Sequence, residues 1–190
     1  MAGYPSYRNI SMNQSTSLYL SAIRSTLWEE PESFSFPEGI HVQTVLEQGS
    51  LSRLLALHCQ QLKVNVLNNQ PIAQDCLSDD ERSLLLPENC WLREVVLQGD
   101  NTPWVIGRTL IPESTIRDPQ HDLSKQGDRP LGLTVFSADN VHRDALQVGW
   151  VETPQGRLLA RRSRLWMNHK PMLVAELFLP KSPVYSKERI

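Results

Sequence analysis

The sequence predicts an α+β fold: one largely antiparallel β-sheet of about six strands, with helices packed on one face. Three observations point to it. Helical spacings are concentrated in the N-terminal half, whereas strand patterns in the second half come in pairs joined by short turns, which makes antiparallel hairpins. No long alternation of strand and helix, the mark of a parallel sheet, occurs anywhere. With 190 residues, 40% of them hydrophobic, the chain can bury one sizeable core and is short for two, so residues 1–190 are expected to form a single domain.

Residues 1–16 are rich in Ser, Asn and Tyr without periodicity and read as a mobile N-terminal tail. Between residues 17 and 28, Leu20, Ile23, Leu27 and Trp28 recur at helical spacing, and Pro31 ends the pattern. Residues 29–38 read as an irregular connection. Val42, Val45 and Leu46 mark a second helical piece broken at Gly49, and Ser50 can cap a third that carries Leu51, Leu54, Leu55 and His58. Residues 63–67 alternate as a strand, with Asn68-Asn69-Gln70-Pro71 as its turn. Ser78 and Glu81 have the spacing of a capping box ahead of Leu84, with Pro87 as the stop. Residues 90–98 and 103–110 form a hairpin through Gly99-Asp100-Asn101-Thr102. Residues 145–152 make a further strand, and residues 160–167 and 172–179 a second hairpin through Asn168-His169-Lys170-Pro171. The stretch 123–136 between the hairpins carries Gly127, Pro130 and Gly132 and suits a movable cover.

Three of these strands put a charge into an apolar face. A period of two sets Arg93 beside Trp91, Val95 and Leu97, Arg108 beside Trp104, Ile106 and Leu110, and Glu176 beside Met172, Val174 and Phe178. A buried charge without a partner costs several kcal/mol, so these groups pair with one another or with something from outside. Two guanidiniums against one carboxylate leave room for an anionic ligand. The basic cluster Arg157, Arg161, Arg162 and Arg164 reads as a solvated strand face, with Arg161 on the side opposite Arg162 and Arg164. One of the four could guard a pocket mouth.

Other chemistries lose support. The net charge of −2 gives no global attraction to nucleic acid or anionic membranes. The three cysteines, Cys59, Cys76 and Cys90, form no Cys-x-x-Cys pair and suit reduced thiols in a cytoplasm. The five histidines show no metal-binding spacing, and no metal is expected. There is no nucleophile elbow, Walker loop or Gly-x-Gly-x-x-Gly, no run long enough to span a membrane and no signal-peptide pattern. What remains is an electrostatic and acid–base site in an apolar enclosure, suited to a small ring-bearing dianion.

Several ordered motifs carry a resemblance. They are Trp91-Leu92-Arg93-Glu94, Gly107-Arg108-Thr109 with Pro112 after it, Pro130-Leu131-Gly132, Arg161-Arg162-Ser163-Arg164-Leu165, and Glu176-Leu177-Phe178-Leu179-Pro180 followed by Ser182, Pro183 and Tyr185. Each is weak alone, but their joint order resembles the chorismate–pyruvate lyases of ubiquinone biosynthesis from about residue 46 to 185. The resemblance implies a chorismate lyase-like fold and conversion of chorismate to 4-hydroxybenzoate and pyruvate by a cytoplasmic monomer without cofactor. It implies that Arg93 grips the ring carboxylate, Glu176 faces the 4-hydroxyl, the backbone at Leu131 contacts the ligand, and Leu51 stands where the family usually has Met. Arg108 is assigned the enolpyruvyl carboxylate from its charge and face.

Two other classes stand beside this reading. A sensor domain of the same sheet type would normally follow a helix-turn-helix unit, for which the first sixty residues are too short and too weakly basic. An interaction scaffold would close Arg93, Arg108 and Glu176 into a structural network.

Overall fold

A computed structural model describes the backbone of residues 7–185, with side chains from residue 14 onward. Its strands are β1 (Leu62–Ile72), β2 (Cys90–Gly99), β3 (Thr102–Pro112), β4 (Val141–Thr153), β5 (Gly156–Met167) and β6 (Lys170–Phe178). They form one antiparallel sheet in the order β1-β2-β3-β6-β5-β4. Both expected hairpins are present. Asp100 and Asn101 in one turn, and Asn168 and His169 in the other, have positive φ, as a two-residue turn that follows strand twist requires.

The helices are α1 (Tyr7–Arg24), α2 (Val42–Val45), α3 (Leu51–Ala56), α4 (Asp79–Leu84), α5 (Glu113–Ile116) and α6 (Leu131–Val135). Ser50 caps α3 by accepting from the Arg53 amide, and Ser78 and Glu81 form the capping box of α4. The fold class is the expected one, but the helices cover both sheet faces. Tyr19, Leu20 and Ile23 of α1 pack against Val96, Ile106, Ala175 and Leu177. Val45, Leu51 and Leu55 pack on the other side against Leu97, Val105 and Phe178. The cause lies in β3 and β6, whose residues are mostly apolar and buried on both faces, so that each face needs a cover.

Two elements differ from expectation. Asn68-Asn69-Gln70-Pro71 is no turn: β1 passes through it, with a bulge between Val66 and Asn68, and Pro71 pairs with Trp91. This is an edge strand, where a proline's missing donor costs no ladder bond. Helix α1 begins at Tyr7, so the stretch read as a tail is helical from there, and residues 1–6 lie outside the described residues. Its apolar residues do not gather on one face over the helix as a whole, which hides it from a search for periodicity.

Candidate active site

The register across the sheet decides which charges meet. Arg93 pairs with Thr109, and Thr109 with Val174; one row along, Val95 pairs with Gly107, Gly107 with Glu176, and Glu176 with Arg161. Arg93, Glu176 and Arg161 therefore share one face. Strands β2 and β6 are separated by β3, so about 10 Å of sheet lies between Arg93 and Glu176. Gly107 forms the floor between them, and a side chain there would meet only Val95.

Over this floor lies a cavity of about 70 Å³ lined by Arg93, Glu176, Leu51, Leu131, Phe136 and Arg143, among others. Four of the five residues predicted from sequence, Leu51, Arg93, Leu131 and Glu176, are thus brought together. The roof comes from the start of two helices. Leu51 opens α3 behind its Ser50 cap, and Leu131 opens α6, where backbone N–H groups have no partner within a helix. These two helix ends approach so closely that a Cβ on Gly132 would lie 3.0 Å from the Ser50 hydroxyl.

Arg93 is 3% exposed, and it donates to the Gly127 carbonyl at 2.7 Å and the Arg129 carbonyl at 3.0 Å. It thereby ties the 123–136 segment to the sheet. Burial lowers its pKa, with Asp128 opposing. Glu176 is held from behind by Arg161, which is fully buried and donates to both carboxylate oxygens. Arg161 also donates to the Val45 and Glu47 carbonyls, at 3.1 and 3.0 Å, and so fixes the segment that leads into α3.

Arg108 is not part of this group. It pairs with Ala175 and with Glu94, on the opposite face, 7% exposed. There it forms an ion pair with Glu81 and lies 4.0 Å from Glu94, and its Nε has no hydrogen-bond partner among the described residues. It lines a separate cavity of about 440 Å³ with Trp28, Glu81 and Arg162. The solvated face expected for the basic cluster is corrected for two of its four arginines, since Arg157 is exposed and Arg164 half-buried. Arg161 and Arg162 are buried, and Arg162 pairs with Asp80 and lies over the Trp28 ring. Arg161 was visible in the strand alternation, which sends it to the face opposite Arg162; its ion pair with Glu176 needed the register of β5 against β6.

Among the described residues, no group of three or more His, Cys, Asp or Glu could hold a metal, and no helix is long and apolar enough to cross a membrane.

A family model described as chorismate lyase matches residues 22–190, reaching further toward the N-terminus than the motifs do. A Vibrio parahaemolyticus protein named "Probable chorismate pyruvate-lyase" is 62% identical over 179 residues, covering 94% of this chain and all of that one. The Yersinia enterocolitica "Chorismate pyruvate-lyase" is 42% identical over 166 residues, covering 87% and 96%. Among solved structures, the effector domain of PhnF from Mycobacterium smegmatis has a TM-score of 0.53 at 9% identity, covering 75% of this chain and 96% of that one. That likeness shows a shared fold. By the match of the family model over most of its length and by the identity to these relatives, the chain belongs to the chorismate lyase family.

Proposed function

We propose that the protein converts chorismate to 4-hydroxybenzoate and pyruvate, the first committed step of ubiquinone biosynthesis, as a cytoplasmic monomer without metal or cofactor. The observation that carries this reading is the placement of Arg93 and Glu176 at two ends of one apolar cavity. A guanidinium at one end suits the ring carboxylate. A carboxylate at the other suits the 4-hydroxyl and the hydrogen on the same carbon.

In this reaction the C3–O bond breaks with its electrons passing to the enolpyruvyl oxygen, and the C4–H bond supplies the electrons that complete the aromatic ring. Glu176, oriented by Arg161, accepts the C4 proton and returns it to the methylene carbon of enolpyruvate, giving pyruvate. Leu51, Leu131 and Phe136 exclude water and keep the ring over the floor at Gly107.

The test is direct. Purified protein incubated with chorismate in buffer containing a chelator should release 4-hydroxybenzoate and pyruvate in equal amounts. Release of neither by the folded protein would overturn the reading and favour a non-enzymatic small-molecule effector-binding domain of the same fold.

Two further outcomes are expected. Arg108→Met should leave kcat/KM within about threefold, because Arg108 faces away from the cavity. It should destabilise the fold by about 3–5 kcal/mol, since Glu81 and Glu94 lose their counter-charge. A denaturant titration alongside the assay separates the two effects.

Product release should limit the rate. An apolar cavity of about 150 Å³ takes up benzene, so one of about 70 Å³ admits a substituted ring only if its cover moves out. The 123–136 segment, with Gly127 at a φ of +58°, is that cover. Because 4-hydroxybenzoate keeps the ring and the carboxylate, it should stay held after chemistry. Rapid mixing with excess chorismate should show a burst of 4-hydroxybenzoate near one equivalent, and added product should inhibit competitively. A linear trace with negligible inhibition would make chemistry the slow step.

A further inference from the structure

Chorismate carries two carboxylates, and the residues assigned so far hold one. With Arg108 on the other face, the enolpyruvyl carboxylate needs a different cation. Arg161 neutralises Glu176 from behind, so the two charges left at the cavity wall are Arg93 and Arg143.

Arg143 reaches this face by an irregularity in β4. Toward the end of the strand, Val148 pairs with Arg161 and Gln147 with Arg162; continued without interruption, that register would set Arg143 opposite Trp166, on the back face. A bulge between Asp144 and Gln147, with Ala145 at a φ of +49°, shifts the pairing so that Arg143 lies opposite Leu165 and faces the cavity. Bulges re-aim side chains in this way. A non-glycine residue at positive φ persists only where its surroundings hold it. Those surroundings are present: Asp144 accepts two hydrogen bonds from Arg164, each at 2.8 Å, and one from Trp166 at 3.0 Å, while Gln147 accepts from Arg162.

The guanidinium is held in place. It donates to the Gln48 carbonyl at 3.2 Å, the Gly49 carbonyl at 3.1 Å and the Ser163 hydroxyl, and lies over the Phe136 ring. Three of its five N–H donors are used, and two remain, one on each terminal nitrogen. We propose that Arg143 binds the enolpyruvyl carboxylate of chorismate through these two donors. Burial and the neighbouring Arg161 lower its pKa to about 10, against the opposing charges of Glu176 and Glu47. An incoming carboxylate therefore relieves an unfavourable environment, while the group stays charged at neutral pH.

This inference rests on the lyase reading and sharpens it. Arg93 touches the part of the molecule that substrate and product share. Arg143 touches the part that leaves, so it distinguishes chorismate from 4-hydroxybenzoate.

The experiment compares Arg143→Gln with the wild type in two measurements: kcat/KM for chorismate, and Kd for 4-hydroxybenzoate by titration. The expected loss in kcat/KM exceeds the loss in product affinity by about tenfold or more, the scale of a charged hydrogen-bonded contact. A ratio near one, whatever the absolute loss, would overturn the proposal, because a purely structural anchor of Gln48 and Gly49 harms both ligands alike. Should Arg143→Gln fail to fold, Arg143→Lys replaces it. That variant keeps the charge but not the fork, so a ratio of about threefold is expected and a ratio of one contradicts. Absence of chorismate turnover in the wild type would instead remove the lyase reading itself.

Discussion

Arg93→Ala should lower kcat/KM for chorismate by about 100- to 1,000-fold and weaken 4-hydroxybenzoate binding by a similar factor. Truncating one side of a buried, charged hydrogen-bonded pair costs about 2–5 kcal/mol, and Arg93 is buried in an apolar cavity. The variant also releases the Gly127 and Arg129 carbonyls, which loosens the cover. Arg93→Lys should recover little, because an ammonium cannot bind two carbonyls and a carboxylate with one planar fork. Far-ultraviolet circular dichroism should match the wild type in both variants. Turnover at the wild-type level in Arg93→Ala would remove Arg93 from the site.

Glu176→Gln should lower kcat by about 100-fold or more, the usual contribution of a positioned proton acceptor, while 4-hydroxybenzoate still binds through Arg93. The amide preserves shape and can accept a hydrogen bond from the 4-hydroxyl, so KM should change less than kcat. Stability should fall too. Arg161 is fully buried and loses its counter-charge, a loss of about 3–5 kcal/mol that a denaturant titration would read. An unchanged kcat would confine Glu176 to orienting the hydroxyl.

Within β2 and β6 the sequence was an accurate guide, whereas in β3 Trp104 packs with Leu97, Val105 and Phe178 on the face opposite Arg108 and Ile106. Alternation placed Arg93 with Val95 and Leu97, and Glu176 with Val174 and Phe178, and the structure keeps both groupings. Between strands it was not, and the reason is one residue. The β2–β3 turn pairs Gly99 with Thr102 and Gln98 with Pro103, and that register continued inward would set Arg93 opposite Arg108. Trp104 is an extra residue in β3, so Leu97 pairs with Val105 and Arg93 with Thr109. A slip of one exchanges the faces of a strand, and Arg108 turns away from the site.

The cause is local packing that no periodicity reveals. The Trp104 indole lies over Gly99, where a Cβ would come within 2.2 Å of the ring, so the bulge and the glycine accommodate each other. Arg143 was hidden by the same physics in the opposite sense, since only the bulge at Ala145 brings it to the cavity. Alternation set Arg161 opposite Arg162 and Arg164, and the structure keeps that separation. The burial of Arg161 follows from two further facts, the register of β5 against β6 and the segment 45–49 folded over it.

The measurement that bears most directly on this account is a crystal structure of the protein with 4-hydroxybenzoate. The ring should lie between Gly107 and Leu131, its carboxylate within hydrogen-bond distance of Arg93, its hydroxyl within hydrogen-bond distance of Glu176, and Arg108 out of contact. Product bound in the cavity beside Arg108 and Arg162, or bound with its carboxylate away from Arg93, would contradict it.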